Sequence, residues 1–312
     1  MNRPRIVSLL PSATEIACAL GAGADLVGIS HECDFPVQVH GLPVLTSSRV
    51  GNSASSAAID STVRLLVQDA LSIYTVDQQR LAELAPDLIL TQDLCRVCAV
   101  SLEDVQGAVA RLARSSAVRV VSLQPTRLLH VLQDIETVAQ AIGRAAQGVE
   151  LRASLEGRIA AIAGRARQAR SRPRVASIEW LEPWMLGGTW MPELIELAGG
   201  EALAARAGEP APTLSLAEFA ALQAEVVLIK PCGFDVPRTL RERDLIGSAL
   251  HGRLVPNARA YITDGNAFFN RPGPRLVESL EILAAAIHPE LFGDFVLKHR
   301  GLLLPVQNLE VR

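Results

Sequence analysis

The residues best suited to chemistry are five soft metal donors in three short segments. Cys95-Arg96-Val97-Cys98 is a CxxC, in which two thiolates can chelate one soft ion or form a redox pair. His31 and Cys33 open His31-Glu32-Cys33-Asp34-Phe35-Pro36, and Cys232 follows Val226-Val227-Leu228-Ile229-Lys230-Pro231. One CxxC alone is a weak signal. Together His31, Cys33, Cys95, Cys98 and Cys232 make a donor set suited to zinc, to iron or to the axial position of a cobalt centre. The competing reading is that free cysteines are small buried hydrophobes, the role assigned to Cys18. His40, His130, His251, His288 and His299 have no partner at ligand spacing and read as surface or packing residues.

A second group of residues suits a large flat ligand. All three tryptophans, Trp180, Trp184 and Trp190, fall within residues 179–190. Indole offers a wide apolar face and one donor, a match for a corrin or porphyrin; the alternative is that one or two of them fill a core. Asp264, Asn266, Phe268 and Arg271 can hydrogen-bond carboxamides or carboxylates while aromatic rings cover an apolar face. Asn266 and Phe268 are the favoured contacts there, with Pro272-Gly273-Pro274 a turn that Asn270 caps. Asp34, Glu179 and Glu182 can orient a ligand by accepting hydrogen bonds. No Ser-His-Asp order, P-loop or GxGxxG occurs, so the pattern favours binding over catalysis.

These residues need elements to position them. Short apolar runs at 5–10, 26–30, 88–91 and 118–123 read as strands, separated by helical patterns from 12 and over 60–70, 74–84 and 102–114. Ser12 with Glu15 predicts a capping box at the start of the first helix. The alternation restarts at Arg174-Val175-Ala176-Ser177-Ile178, which echoes Arg5-Ile6-Val7-Ser8-Leu9. Helices at 191–197, 216–222 and 276–286 and strands at 226–230 and 261–263 follow, with 179–190 a loop. Strand and helix in alternation predict an α/β fold with parallel sheets. In such sheets ligands meet the loops beyond the strands' carboxyl ends. Ser12, Asp34, Phe35, Gln92 and Asp93 join the candidates on that ground.

Between the two halves, residues 128–170 hold strong helix formers, no proline and one breaker, Gly143. Residues 145–170 predict one helix ~39 Å long, with Val149, Leu151, Leu155, Ile159, Ile162 and Ala166 on its buried face. The domain reading is an N-terminal lobe at 1–126, linking helices at 127–172 that include the backbone helix 145–170, and a C-terminal lobe at 173–312. A continuous helix resists bending, so the lobes are expected to tilt only slightly on binding.

Composition narrows the function. The chain has 312 residues, 49% of them hydrophobic and 20% charged, with a net charge of −3. That balance is globular and argues against a nucleic-acid partner, which needs a basic face. No run approaches the ~20 apolar residues of a bilayer span. Residues 1–16 lack a signal-peptide pattern, so the expected compartment is cytoplasmic, periplasmic only if the start is misassigned. Five cysteines, an odd number, fit reduced thiols or metal ligands better than a disulfide framework.

The ordered motifs SLLPSATEIACALGAG from Ser8, CDFP from Cys33, LAPDLIL from Leu84, RVASIEW from Arg174 and MPELIELAGG from Met191 carry a resemblance. They resemble the substrate-binding proteins of iron-chelate and vitamin B12 ABC importers, the helical-backbone metal-complex receptors, and within them the cobalamin-binding branch. The resemblance implies two Rossmann-like lobes joined by one long rigid helix, the class III periplasmic-binding-protein architecture. It implies a non-catalytic protein that clamps a cobalamin-like corrinoid or other metal chelate between its lobes and needs no cofactor. It also implies docking on an ABC permease through one surface glutamate per lobe. Glu218 in SLAEFAAL matches the second; Gln79 stands at the first. The missing glutamate and the missing signal peptide weigh against docking and favour a cytosolic relative. The alternative function is a cytosolic metal-binding or thiol-redox protein using Cys95 and Cys98 with His31, Cys33 and Cys232, holding zinc or iron.

Overall fold

In a computed structural model, residues 3–50, 54–68, 73–92, 118–250 and 258–308 are described. Two compact units emerge: residues 1–54, 61–125 and 129–154 make the first, and 55–60, 126–128 and 155–312 the second.

In the first unit the apolar runs become strands β1 (Ile6–Ser8) and β2 (Leu26–Ile29). Strands β3 (Thr46–Ser48) and β4 (Tyr74–Val76) follow, then β5 (Leu88–Gln92) and β6 (Arg119–Leu123). β2, β1, β5 and β6 form a parallel sheet in that order. Ile6, Val7, Leu88, Ile89 and Leu90 have no exposed surface, as expected of strands covered on both faces. β3 and β4 form a separate antiparallel pair.

The helices in chain order are α1 (Pro11–Ala19), α2 (Ser56–Gln68), α3 (Gln78–Leu84), α4 (Leu128–Ala141) and α5 (Ala145–Ala166). Then come α6 (Met191–Leu197), α7 (Leu216–Ala221), α8 (Val236–Thr239), α9 (Arg243–Leu250), α10 (Leu276–Ile287) and α11 (Gly293–Lys298). Two local expectations fail. Ser12 caps nothing: α1 begins at Pro11, whose missing N–H needs no cap, and Leu10 holds the capping position with no side-chain bond. The capping box forms instead at Ser215 and Glu218. Residues 74–84 are not one helix, because Tyr74-Thr75-Val76 suits a strand and Asp77 then caps α3, accepting from the Arg80 N–H. The helix expected at 102–114 lies outside the described residues.

The second unit holds β7 (Arg174–Trp180), β8 (Trp184–Leu186), β9 (Glu201–Ala202) and β10 (Thr213–Leu214). β11 (Val226–Ile229), β12 (Arg259–Ile262) and β13 (Leu304–Pro305) complete it. The order is β10-β8-β7-β11-β12-β13, with β9 also beside β7. β9, β7, β11 and β12 run parallel, while β8 pairs antiparallel with both β7 and β10 and β13 pairs antiparallel with β12, so this sheet is mixed. The segment 179–190, expected as a loop, turns β8 back along β7. β9 lies next to β7 as β2 lies next to β1, so the sequence echo extends to topology.

α4 ends where Gly143 adopts φ +74°, a left-handed conformation that a glycine enters without strain. Arg144 N–H then donates to Ala139 O at 2.7 Å, closing a Schellman-type end before α5 starts. α5 has 22 residues, about 33 Å. It stops at Ala166, short of the expected 170. Leu155, Ile159, Ile162 and Ala166 are buried, whereas Val149 is 58% exposed and leaves the expected apolar face. Arg152 on α5 pairs with Glu136 in the first unit; Arg158 and Arg165 pair with Glu278, Glu281 and Asp294 in the second.

Candidate ligand-binding site

In the first unit, β2 delivers the chain to Ser30 and His31. Residues 43–46 run alongside, held by Ile29 N–H to Pro43 O and Leu45 N–H to Ile29 O, both 2.9 Å. This brings Thr46 Oγ1 within 3.0 Å of the His31 N–H, 2.7 Å of His31 Nδ1 and 3.0 Å of Ser30 Oγ. The imidazole is half-buried and lies 5.3 Å, ring to ring, from Tyr74, whose hydroxyl donates to Glu32 Oε1 at 2.9 Å. Burial lowers the His31 pKa, opposed by the Glu32 charge, and so favours the neutral ring. Asp34 and Phe35 are exposed, and His40 Nε2 donates to Asp34 O at 2.9 Å. Ser12 is buried on α1, its hydroxyl without a hydrogen-bond partner among the described residues, and Gln92 is buried at the end of β5.

Of the expected metal donors, His31 and Cys33 lie in the first unit and Cys232 in the second. Cys33 is buried with its sulfur 3.1 Å from Thr14 Oγ1, and Cys232 is half-buried beyond β11 in the other unit. Among the described residues no three of His, Cys, Asp and Glu are placed to hold an ion. Cys95, Cys98 and Asp93 lie outside them.

In the second unit the strand ends carry a polar knot. Lys230, just past β11, has a fully buried side chain. Its ammonium donates to Glu179 Oε2 at 2.9 Å and to Asn270 Oδ1 at 2.7 Å. A buried amine needs such acceptors, because unpaired donors in a core are costly. Asn270 Nδ2 donates in turn to Lys230 O and Gly265 O, so Asn270 ties three segments and does more than cap a turn. Asp264 accepts from the N–H groups of Asn266 and Ala267; burial raises its pKa, and those bonds oppose the rise. Arg271 is 7% exposed and donates to Asn266 Oδ1, so it braces the loop. Phe268 is half-buried beneath the Arg275 guanidinium.

The tryptophans divide. Trp184 stacks on Phe219 in the core of the second unit, and Trp190, 4% exposed, donates to Phe269 O at 2.8 Å. Both fill space within that unit. Trp180 is half-buried, donates to Glu182 O at 3.2 Å and leans on Phe234, which carries the Arg238 guanidinium 3.9 Å above its ring. Lys230 is not among the residues the sequence pattern singles out. Its signal was a lysine closing the apolar strand Val226-Val227-Leu228-Ile229. His299, read as a packing residue, is buried against Glu281 Oε2 at 2.7 Å.

Glu218, the expected docking residue, is exposed at the start of α7. Hydrogen bonds from the Ser215 hydroxyl and N–H lower its pKa. Gln79 donates to Glu83 on α3 at 3.0 Å.

Residues 6–246 match the profile of a family described as periplasmic binding protein. A vitamin B12-binding protein of Yersinia pestis (strain Pestoides F) is 25% identical over 276 residues, spanning 88% of this chain and 82% of its own. The periplasmic heme-binding protein RhuT from Roseiflexus sp. RS-1 superposes with a TM-score of 0.69 at 23% identity, covering 93% of this chain and all of that one. The periplasmic vitamin B12 binding protein BtuF of Vibrio cholerae gives 0.65 at 19%, covering 92% and 97%. These periplasmic relatives overturn the cytoplasmic expectation. That expectation rested on residues 1–16, whose apolar run is β1, and a strand at the centre of a sheet reports on fold, not on compartment. No described helix is long and apolar enough to cross a membrane.

Proposed function

Because the chain belongs to the periplasmic binding protein family, we propose that it is a non-catalytic substrate-binding protein for a cobalamin-like corrinoid or a related metal chelate. The observation that carries this is the likeness, over 88% of the chain, to a protein named for binding vitamin B12. The side chains support it. His31, Asp34 and Phe35 in the first unit keep accessible surface beyond their strand ends, and so do Trp180, Asn266 and Phe268 in the second. An imidazole, two amide- or acid-type acceptors and three aromatic rings suit a flat macrocycle with polar edges. Glu179 and Asp264 orient ligand amides from positions fixed by Lys230 and by the 264–267 turn. The proposed partner is an ABC permease, with Glu218 as a contact on the second unit.

The test is titration with hydroxocobalamin, cobinamide and haemin, read by indole fluorescence and visible absorption. The expected result is saturable quenching at one equivalent, at least half of it lost in Trp180→Phe, since the other two indoles are buried. No change in either signal with any of the three probes at about 100 μM, well above the Kd range of specific binding, would overturn the proposal.

A further inference from the structure

Thr46 fixes which nitrogen of His31 holds the proton. A hydroxyl has one proton to give and two lone pairs. Thr46 Oγ1 gives its proton to Ser30 Oγ at 3.0 Å, and one lone pair receives the His31 N–H at 3.0 Å. Only the second lone pair remains to face His31 Nδ1 at 2.7 Å. Nδ1 must therefore be the donor, and in the neutral ring the unshared pair sits on Nε2. Among the described residues Nε2 has no hydrogen-bond partner, and Tyr74 packs against the ring and limits its rotation. This is the arrangement of a metal-ligating histidine: one ring nitrogen held by a neighbouring acceptor, the other presented as a base.

What such a lone donor can bind follows from counting. A bare ion needs three or four protein ligands, and among the described residues no group of three is in place. A metal already inside a tetrapyrrole brings four donors of its own and needs only an axial one. We propose that His31 Nε2 is an axial ligand to the metal of a bound tetrapyrrole, and that Thr46 is the positioning residue that sets its tautomer. This rests on the tetrapyrrole reading of the binding site given above.

The experiment uses the full chain with haemin, hydroxocobalamin and cobinamide as separate probes, in wild type, His31→Ala, Thr46→Val and Thr46→Ser. Absorption and electron paramagnetic resonance report the axial ligand, and titration reports affinity. Wild type should show nitrogen ligation with at least one probe, and which probe does so separates an iron porphyrin from a corrinoid. His31→Ala should lose that signature and regain it with added imidazole. Thr46→Val should reach the same spectrum at saturation with affinity lowered 10- to 100-fold, the usual cost of losing an outer-shell partner, while Thr46→Ser stays within about 3-fold of wild type. A His31→Ala complex spectrally identical to wild type would overturn the ligation and leave tetrapyrrole binding intact. Unchanged affinity in Thr46→Val would overturn the role of Thr46. A wild type that binds none of the three probes would overturn the binding proposal itself.

Discussion

Glu281 on α10 collects three hydrogen-bond donors, Arg158, Lys298 and His299, in a space that is 4% exposed. Its Oε1 accepts from Arg158 on α5 at 2.8 Å; its Oε2 accepts from Lys298 at 2.6 Å and from His299 at 2.7 Å at the end of α11. Burial pushes the carboxyl pKa up, but the hydrogen bonds from His299, Lys298 and Arg158 outweigh it and hold the value at about 2, against an ordinary 4.5. At ~1.36 kcal/mol per pH unit this corresponds to about 3 kcal/mol favouring the folded state. Because the folded pKa is depressed, that contribution is complete above pH 4.5 and is lost as the pH falls from there to about 2. Glu281→Gln removes the charge and keeps the shape. At pH 7 the variant should unfold in urea with a free energy lower by about 3 kcal/mol, the low end for breaking a buried ion pair, since Arg158 retains Glu278. Between pH 4.5 and 2.5 parent and variant should converge. A variant within about 0.5 kcal/mol of the parent at pH 7, or a difference that does not shrink with acid, would refute the reasoning.

Two further perturbations test the frame around the site. A Cβ on Gly148 of α5 would stand 2.4 Å from the Ala139 Cβ of α4, so Gly148→Ala should cost about 1–3 kcal/mol despite alanine's better helix propensity. Adding Ala139→Gly should recover most of that loss in a double-mutant cycle by urea denaturation. Ser215→Ala removes the cap of α7 and should cost about 1 kcal/mol of stability. Read in a permease-binding assay beside Glu218→Gln, it separates the carboxylate's role in docking from its role in the helix start.

The elements were legible where one residue type decides them. Met191–Leu197 forms as a helix where the 3.6-residue pattern placed it, and Gly143 breaks the mid-chain segment because only a left-handed turn lets α4 end there. Legibility failed where another residue makes the decision, whether the next in the chain or one far along it. Ser12 reads as a cap until Pro11 is seen to start the helix itself. Tyr74 reads as helix until Ser48 of β3, 26 residues earlier, supplies its pairing. Three tryptophans in one segment look like one surface, yet β8 carries Trp184 back into the core and leaves Trp180 half-exposed at the turn. His31 stood out by type. Its orientation did not, because that depends on Thr46, 15 residues later, and no local pattern records the bond.

The echoed motif also stands, in both sheets, on a strand with a parallel neighbour on each side. Ser8 on β1 and Ser177 on β7 hold the same place in that motif. Their surroundings differ. The Ser8 hydroxyl donates to Leu10 O and accepts from Thr14, while the Ser177 hydroxyl is buried with no partner among the described residues. One motif therefore serves two local ends: at β1 its serine ties the strand to α1 through Thr14, and at β7 it is packed without such a tie.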